Sequence, residues 1–291
     1  MIAAALALTG CAPDPSDLPD DAPVWQLETP DGLGEPLVPA ENPATPEKFE
    51  LGRHLFYDPR LSGNGTQACA TCHDQALGFA DGEVTPTGST GTVLARNSPG
   101  LVNVAWEATL TWPNPLLTTL EAQLLVPMFG DAPVELGMSG HEDEIRARLE
   151  ADPVYAELGA AAFPDADPFD RTALVAALAT FVRGLASTDA PYDRYVQGRD
   201  PDALSDAARR GMTLFFSERA ECYHCHGGPN LTASFVNATS AAAPDAFFNT
   251  PGCTTSTGRA ATRPTTPAGT SSPASTRTWG GSGPRRCGTS R

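Results

Sequence analysis

The apolar positions of this chain recur at helical spacing, and no segment alternates in the way a half-buried strand would. Phe49, Leu51, Leu55 and Phe56 predict a helix over Pro46 to Asp58, closed by Pro59 and the Ser62-Gly63-Asn64-Gly65 cluster. Phe79 to Gly100 is rich in Gly, Thr and Pro and reads as a long loop, a length usually kept for function. Helices are predicted over Leu116 to Leu125 and, as one charged amphipathic run, over Glu142 to Leu158. Arg171 to Leu185 carries Leu174, Ala177, Leu178, Phe181 and Val182 in phase and reads as a core helix. Ser187 to Pro201 is a Pro/Asp/Gly-rich connection and a domain boundary. A last helix is predicted over Ser205 to Ser217, with Ser205 as its N-cap. The expected fold is mainly α, with loops wrapped around cofactors.

Chemistry enters with two pentapeptides, Cys69-Ala70-Thr71-Cys72-His73 and Cys222-Tyr223-His224-Cys225-His226. Cys-x-x-Cys-His is the attachment signature of c-type haem: the cysteines form thioethers and the histidine ligates iron. A Cys-x-x-Cys pair can also be a redox dithiol, a disulfide or half a zinc site. A thioredoxin-like dithiol wants a βαβ setting that neither copy has, and zinc leaves the trailing histidines unexplained. Two covalently bound haem groups are therefore expected. Cys253 and Cys287 are left over, as are His54, His141 and His224, for which surface or packing roles suffice.

Residues 1–11 end in Leu8-Thr9-Gly10-Cys11 after a short apolar run, which resembles a bacterial lipobox. That resemblance implies a lipid on Cys11, a periplasmic location and membrane attachment by the anchor alone. The run lacks a basic leader, so translation could start further upstream. Residues 12–45 are rich in Pro, Asp and Gly and read as a tether followed by an irregular arm. The net charge of −16 excludes nucleic acid as a partner. It suits either a basic redox protein or simple solubility.

The text around the motifs adds a resemblance. Leu51-Gly52-Arg53-His54-Leu55-Phe56-Tyr57-Asp58-Pro59-Arg60-Leu61-Ser62 precedes the first motif. Arg96-Asn97-Ser98-Pro99, Asn103, Trp112, Gln123 and Val134-Glu135-Leu136-Gly137-Met138 lie between the two. Gly211 to Phe216 leads into the second. Together they resemble the bacterial dihaem cytochrome c peroxidase/MauG family. The wording Trp112-Pro113-Asn114-Pro115-Leu116-Leu117 and Val126-Pro127-Met128-Phe129-Gly130 is most similar to its MbnH-like branch. The resemblance covers about residues 40–249.

It implies two cytochrome c-like domains: 46–190 with a peroxide-reactive haem on His73, and 200–249 as the start of a second with an electron-transfer haem on His226. It implies that Glu135 is the distal acid, that Gln123 orients peroxide and that Trp112 relays electrons between the haems. It implies that Asn97 ligates a calcium ion between the domains. For each residue an ordinary role stays open: a loop carboxylate for Glu135, a helix-surface amide for Gln123, core packing for Trp112 and a turn for Asn97. The implied activity is a peroxidase that uses hydrogen peroxide and draws electrons from a small redox protein, a cytochrome c or cupredoxin. Alternatively the electrons come from tryptophan of a protein substrate encoded nearby. A non-catalytic dihaem electron-transfer lipoprotein is the competing class.

After Asn249-Thr250 the resemblance stops, and residues 250–291 are Thr, Ser, Pro, Gly, Ala and Arg with no apolar period. Read one base earlier, the codons of Pro251 to Gly258 can encode a Gly-Leu-Tyr-Asp stretch. Those of Thr278 to Thr289 can encode Gly-Arg-Phe-Arg-Ala-Pro-Ser-Leu-Arg-Asn. Both are expected family text in the expected order, so the tail reads as a frameshift near codon 250. On that reading the second domain is truncated, the distal ligand of its haem is missing, and the chain as written is expected to be poorly stable or inactive.

Overall fold

A computed structural model describes residues 27–111, 114–232 and 234–240. The described residues belong to one compact unit. They form eight α-helices joined by 3-10 turns and loops, and their only β pairing is three isolated bridges. Among them no helix is long and apolar enough to cross a membrane.

The centre is built by α1 (Pro46–Tyr57) against α6 (Arg171–Arg183). α1 starts at the Thr45 cap, whose hydroxyl accepts from Lys48 N–H, and buries Leu51, Leu55 and Phe56. It stops at Asp58 because Pro59 follows. α2 (Cys69–Cys72) is the single turn of the first motif. α3 (Leu120–Phe129) begins four residues later than the sequence predicted. Thr119 caps it by accepting from Ala122 N–H, whereas Leu116 lies in a turn and is exposed. The helix predicted over Glu142 to Leu158 is two helices, α4 (Glu142–Glu150) and α5 (Pro153–Ala162). Pro153 has no N–H to continue the ladder, and its ring would meet the preceding turn, so it opens a new helix capped by Asp152.

α6 is buried from Ala173 to Arg183, which matches its reading as a core helix. Inside the 187–201 connection, Pro191–Val196 forms a short helix, α7. α8 (Asp206–Phe215) starts at the predicted Ser205 cap but buries none of its residues. The segment after α8 returns to the centre: Ala108 N–H donates to Ser234 O at 2.7 Å and Val236 N–H to Trp106 O at 2.8 Å. Trp106 is buried in the core, and its indole N–H donates to Gly34 O in the N-terminal arm at 2.8 Å.

One buried ion pair holds α3 to α6. Arg183, 2% exposed, donates to both carboxylate oxygens of Glu121 at 2.8 and 3.0 Å. Asn42 adds a third hydrogen bond to Glu121 at 2.8 Å, and these contacts keep the carboxyl below its ordinary pKa despite burial. Arg183→Met strands that carboxylate. It is expected to cost about 2 kcal/mol, read as a lower urea midpoint at unchanged slope.

Candidate functional site

The first motif is a rigid turn. Thr71 Oγ accepts from Ala68 N–H at 3.0 Å, and His73 N–H closes the turn on Cys69 O at 3.0 Å. Ser62, fully buried, accepts from the N–H groups of Thr66 and Gln67 and so fixes the approach to it. Cys69 and Cys72 are not disulfide-bonded. Burial pushes the Cys69 thiol up to about 12.

His73 Nδ1 lies 2.8 Å from the carbonyl oxygen of Phe79. A carbonyl can only accept, so Nδ1 carries the proton and Nε2 keeps its lone pair for a metal. Phe79 pays for this aim with a left-handed backbone, φ 61°, costly for a residue with a large side chain. Burial of its ring at 5.9 Å from Phe56 holds it there. Burial also lowers the His73 pKa, keeping the ring neutral as a ligand must be.

The second motif repeats the device in the open. Cys222–His224 is a 3-10 turn, and His226 N–H closes on Cys222 O at 2.9 Å. His226 Nδ1 faces Leu231 O at 3.3 Å, and Leu231 again has positive φ, 53°. Cys225 and His226 are exposed, as are Leu214 and Phe216 at the end of α8. Asn103 ties this segment down, donating to Ser187 O at 2.8 Å and Asn230 Oδ1 at 3.1 Å.

Glu135 is carried by a strap, residues 134–138, held by backbone on three sides. Leu136 N–H donates to Pro127 O and Met138 N–H to Met128 O, both at 2.9 Å, which fastens the strap to the end of α3. Ser89 N–H donates to Glu135 O at 2.8 Å, and Gly63 N–H to Leu136 O at 2.9 Å. Gly88 permits this approach, because a Cβ there would lie 2.1 Å from Val134 O. The Glu135 carboxyl is half-buried, and burial raises its pKa. Burial raises the pKa of the Cys72 thiol, and the charges of Asp81 and Glu135 add to that rise. On α3, the Gln123 side-chain oxygen is buried without a hydrogen-bond partner.

The predicted site residues thus divide. Cys69, Cys72, His73 and Glu135 are brought together, with Gln123 on the helix to which the strap is fastened. Asn97 is exposed, its amide nitrogen 3.5 Å from Ser98 O. Trp112, Cys11 and the tail from residue 250 lie outside the described residues. Sequence reading missed the Phe79 carbonyl, Asp81 and the Glu121–Arg183 pair. Only the last had a signal, a lone cation closing an apolar helix.

A helical fold with two Cys-x-x-Cys-His turns, each histidine anchored through Nδ1, defines a c-type haem protein. The chain belongs to the di-haem cytochrome c peroxidase family, whose profile matches residues 46–201. It is 43% identical over 188 residues to the methylamine utilization protein MauG of Methylorubrum extorquens, covering 65% of this chain and 51% of the relative. It is 33% identical over 201 residues to the cytochrome c peroxidase Ccp of Escherichia coli, covering 68% of this chain and 41% of the relative. A crystal structure of a MauG-like protein associated with microbial copper homeostasis superposes with TM-score 0.72 at 46% identity, covering 75% of this chain and 62% of that one. The chain therefore spans about half the length of the relatives it matches.

The residues present fit haem. Cys69, Cys72 and His73 would hold the first group, and Cys222, Cys225 and His226 the second. Each site offers two unbridged thiols and a histidine whose Nδ1 faces a backbone carbonyl.

Proposed function

We propose that the chain is the peroxide-reactive part of a dihaem peroxidase. Hydrogen peroxide reacts at the haem of His73, and electrons arrive through the haem of His226, with Trp112 as the relay. Residues 46–190 and 200–249 are the two haem domains. Asn97 contributes to a calcium site, and Cys11 anchors the protein in the periplasm.

The observation that carries this reading is the inequality of the two motifs. The first is enclosed and lies within reach of the charge of a half-buried carboxylate. The second is open, with Cys225 and His226 exposed. Bound at the first site, haem would supply the redox iron at which peroxide is reduced. Glu135 would take the proton from the near peroxide oxygen and return it to the departing one. Its raised pKa suits that exchange better than an ordinary carboxylate would. The unpartnered Gln123 oxygen would accept a hydrogen bond from the peroxide.

The electron source is a small redox protein or tryptophan of a protein substrate. The likeness to MauG and to a MauG-like structure at 46% identity supports the second. The test is the absorption spectrum of the haem-loaded protein before and after one equivalent of peroxide. A prompt change centred on a high-spin haem is expected. Two six-coordinate haems indifferent to peroxide would instead mean a simple electron carrier. Turnover of reduced cytochrome c would favour peroxide removal, and oxidation of a protein encoded next door would favour modification.

A further inference from the structure

Asp81 is a fixed carboxylate beside the first motif with no assigned task. One oxygen accepts from the Ser98 hydroxyl at 3.0 Å and the other from Glu83 N–H at 3.0 Å. Ser98 is 7% exposed, so the clasp is shielded from water. The loop bearing Asp81 folds back on the motif: Asp74 N–H donates to Ala80 O at 2.9 Å, and Phe79 supplies the carbonyl for His73. The charge of Asp81 is felt at both Cys72 and His73. No ion-pair partner neutralises it among the described residues.

We propose that Asp81, clamped by Ser98, is a positioning residue that sets a negative charge beside the His73 haem and biases that haem toward its oxidised state. The inference rests on the haem assignment above but not on peroxide chemistry. A fixed anion stabilises the form with the greater positive charge, and ferric haem carries one unit more than ferrous.

The test is a potentiometric titration of the haem-loaded protein, following each haem by its own absorption bands. Asp81→Asn should shift the His73 haem toward the ferrous form by about tenfold in its equilibrium constant and leave the His226 haem unmoved. Asp81→Glu should restore most of the bias. Ser98→Ala, which loosens the clamp but keeps the charge, should shift it much less. No shift in Asp81→Asn, or an equal shift in Ser98→Ala, overturns the proposal. Loss of the peroxide reaction in the unaltered protein would sink the peroxidase reading while leaving this measurement interpretable.

Discussion

Glu135→Gln is expected to slow the reaction of the haem-loaded protein with hydrogen peroxide by roughly a hundred- to ten-thousand-fold, with both haems still attached. The amide keeps the shape of the carboxyl and can hydrogen-bond, but it cannot accept and return a proton. The strap should survive, because it is held by backbone bonds and by Gly63 and Gly88, none of which involves the Glu135 side chain. Haem attachment should survive too, because it depends on Cys69, Cys72 and His73.

The pH profile gives a second readout. Burial raises the Glu135 pKa above its ordinary value of 4.5, so the base is lost as pH falls through that raised value. The wild-type rate should fall on this acid limb, and the limb should vanish in Glu135→Gln. Stability follows the opposite sign. The folded chain holds the Glu135 proton to higher pH than the unfolded chain does. Its contribution therefore favours folding at low pH and is lost as pH rises through the raised value. Stopped-flow absorption across pH 4 to 8 reads the first effect and denaturation midpoints over the same range the second. A Glu135→Gln protein that reacts at the wild-type rate would remove Glu135 from the mechanism.

Most of the fold could be read from the pattern of apolar residues, since α1, α6 and α8 have a Pro, Asp or Ser signal at a boundary and a clear stripe between. The misplaced boundaries share a cause: Pro153 and the Thr119 cap are single local choices that interrupt an otherwise continuous helical pattern. The proposed haem-binding residues stand out in the sequence because covalent attachment would demand two cysteines and a histidine at fixed spacing. The supporting groups were not. The Phe79 and Leu231 carbonyls are backbone atoms that leave no residue-type signature. Asp81 joins the site through a clasp to Ser98, 17 residues on, which no local pattern records. Glu135 could be named by resemblance. That its charge reaches Cys72 follows only from the fastening of its strap to α3, Gly63 and Ser89.

Gly52→Ala is expected to be the most damaging small substitution in the core. At this point α1 crosses α6 so closely that a Cβ on Gly52 would lie 2.0 Å from Ala177 O and 2.9 Å from Phe181 Cβ. The near atom is helix backbone and cannot rotate away, so one helix must shift. Alanine would gain about 1 kcal/mol of helix propensity over glycine, but overpacking a tight core costs about 1–3 kcal/mol and occasionally more. The near-contact is severe enough to place Gly52→Ala at the upper end, a net loss of about 2 kcal/mol, and Gly52→Val beyond it. That is a large part of the stability of an ordinary domain. It would be felt at the proposed first haem site, because the chain leaving α1 passes through Asp58 and Ser62 into the Cys69 turn. Gly211 in α8 supplies the control of opposite sign, since no described atom lies within 4 Å of a Cβ placed there. Gly211→Ala should therefore raise the urea midpoint slightly while Gly52→Ala lowers it. Equal midpoints for the two variants would mean that the close crossing of α1 and α6 is not what fixes the core.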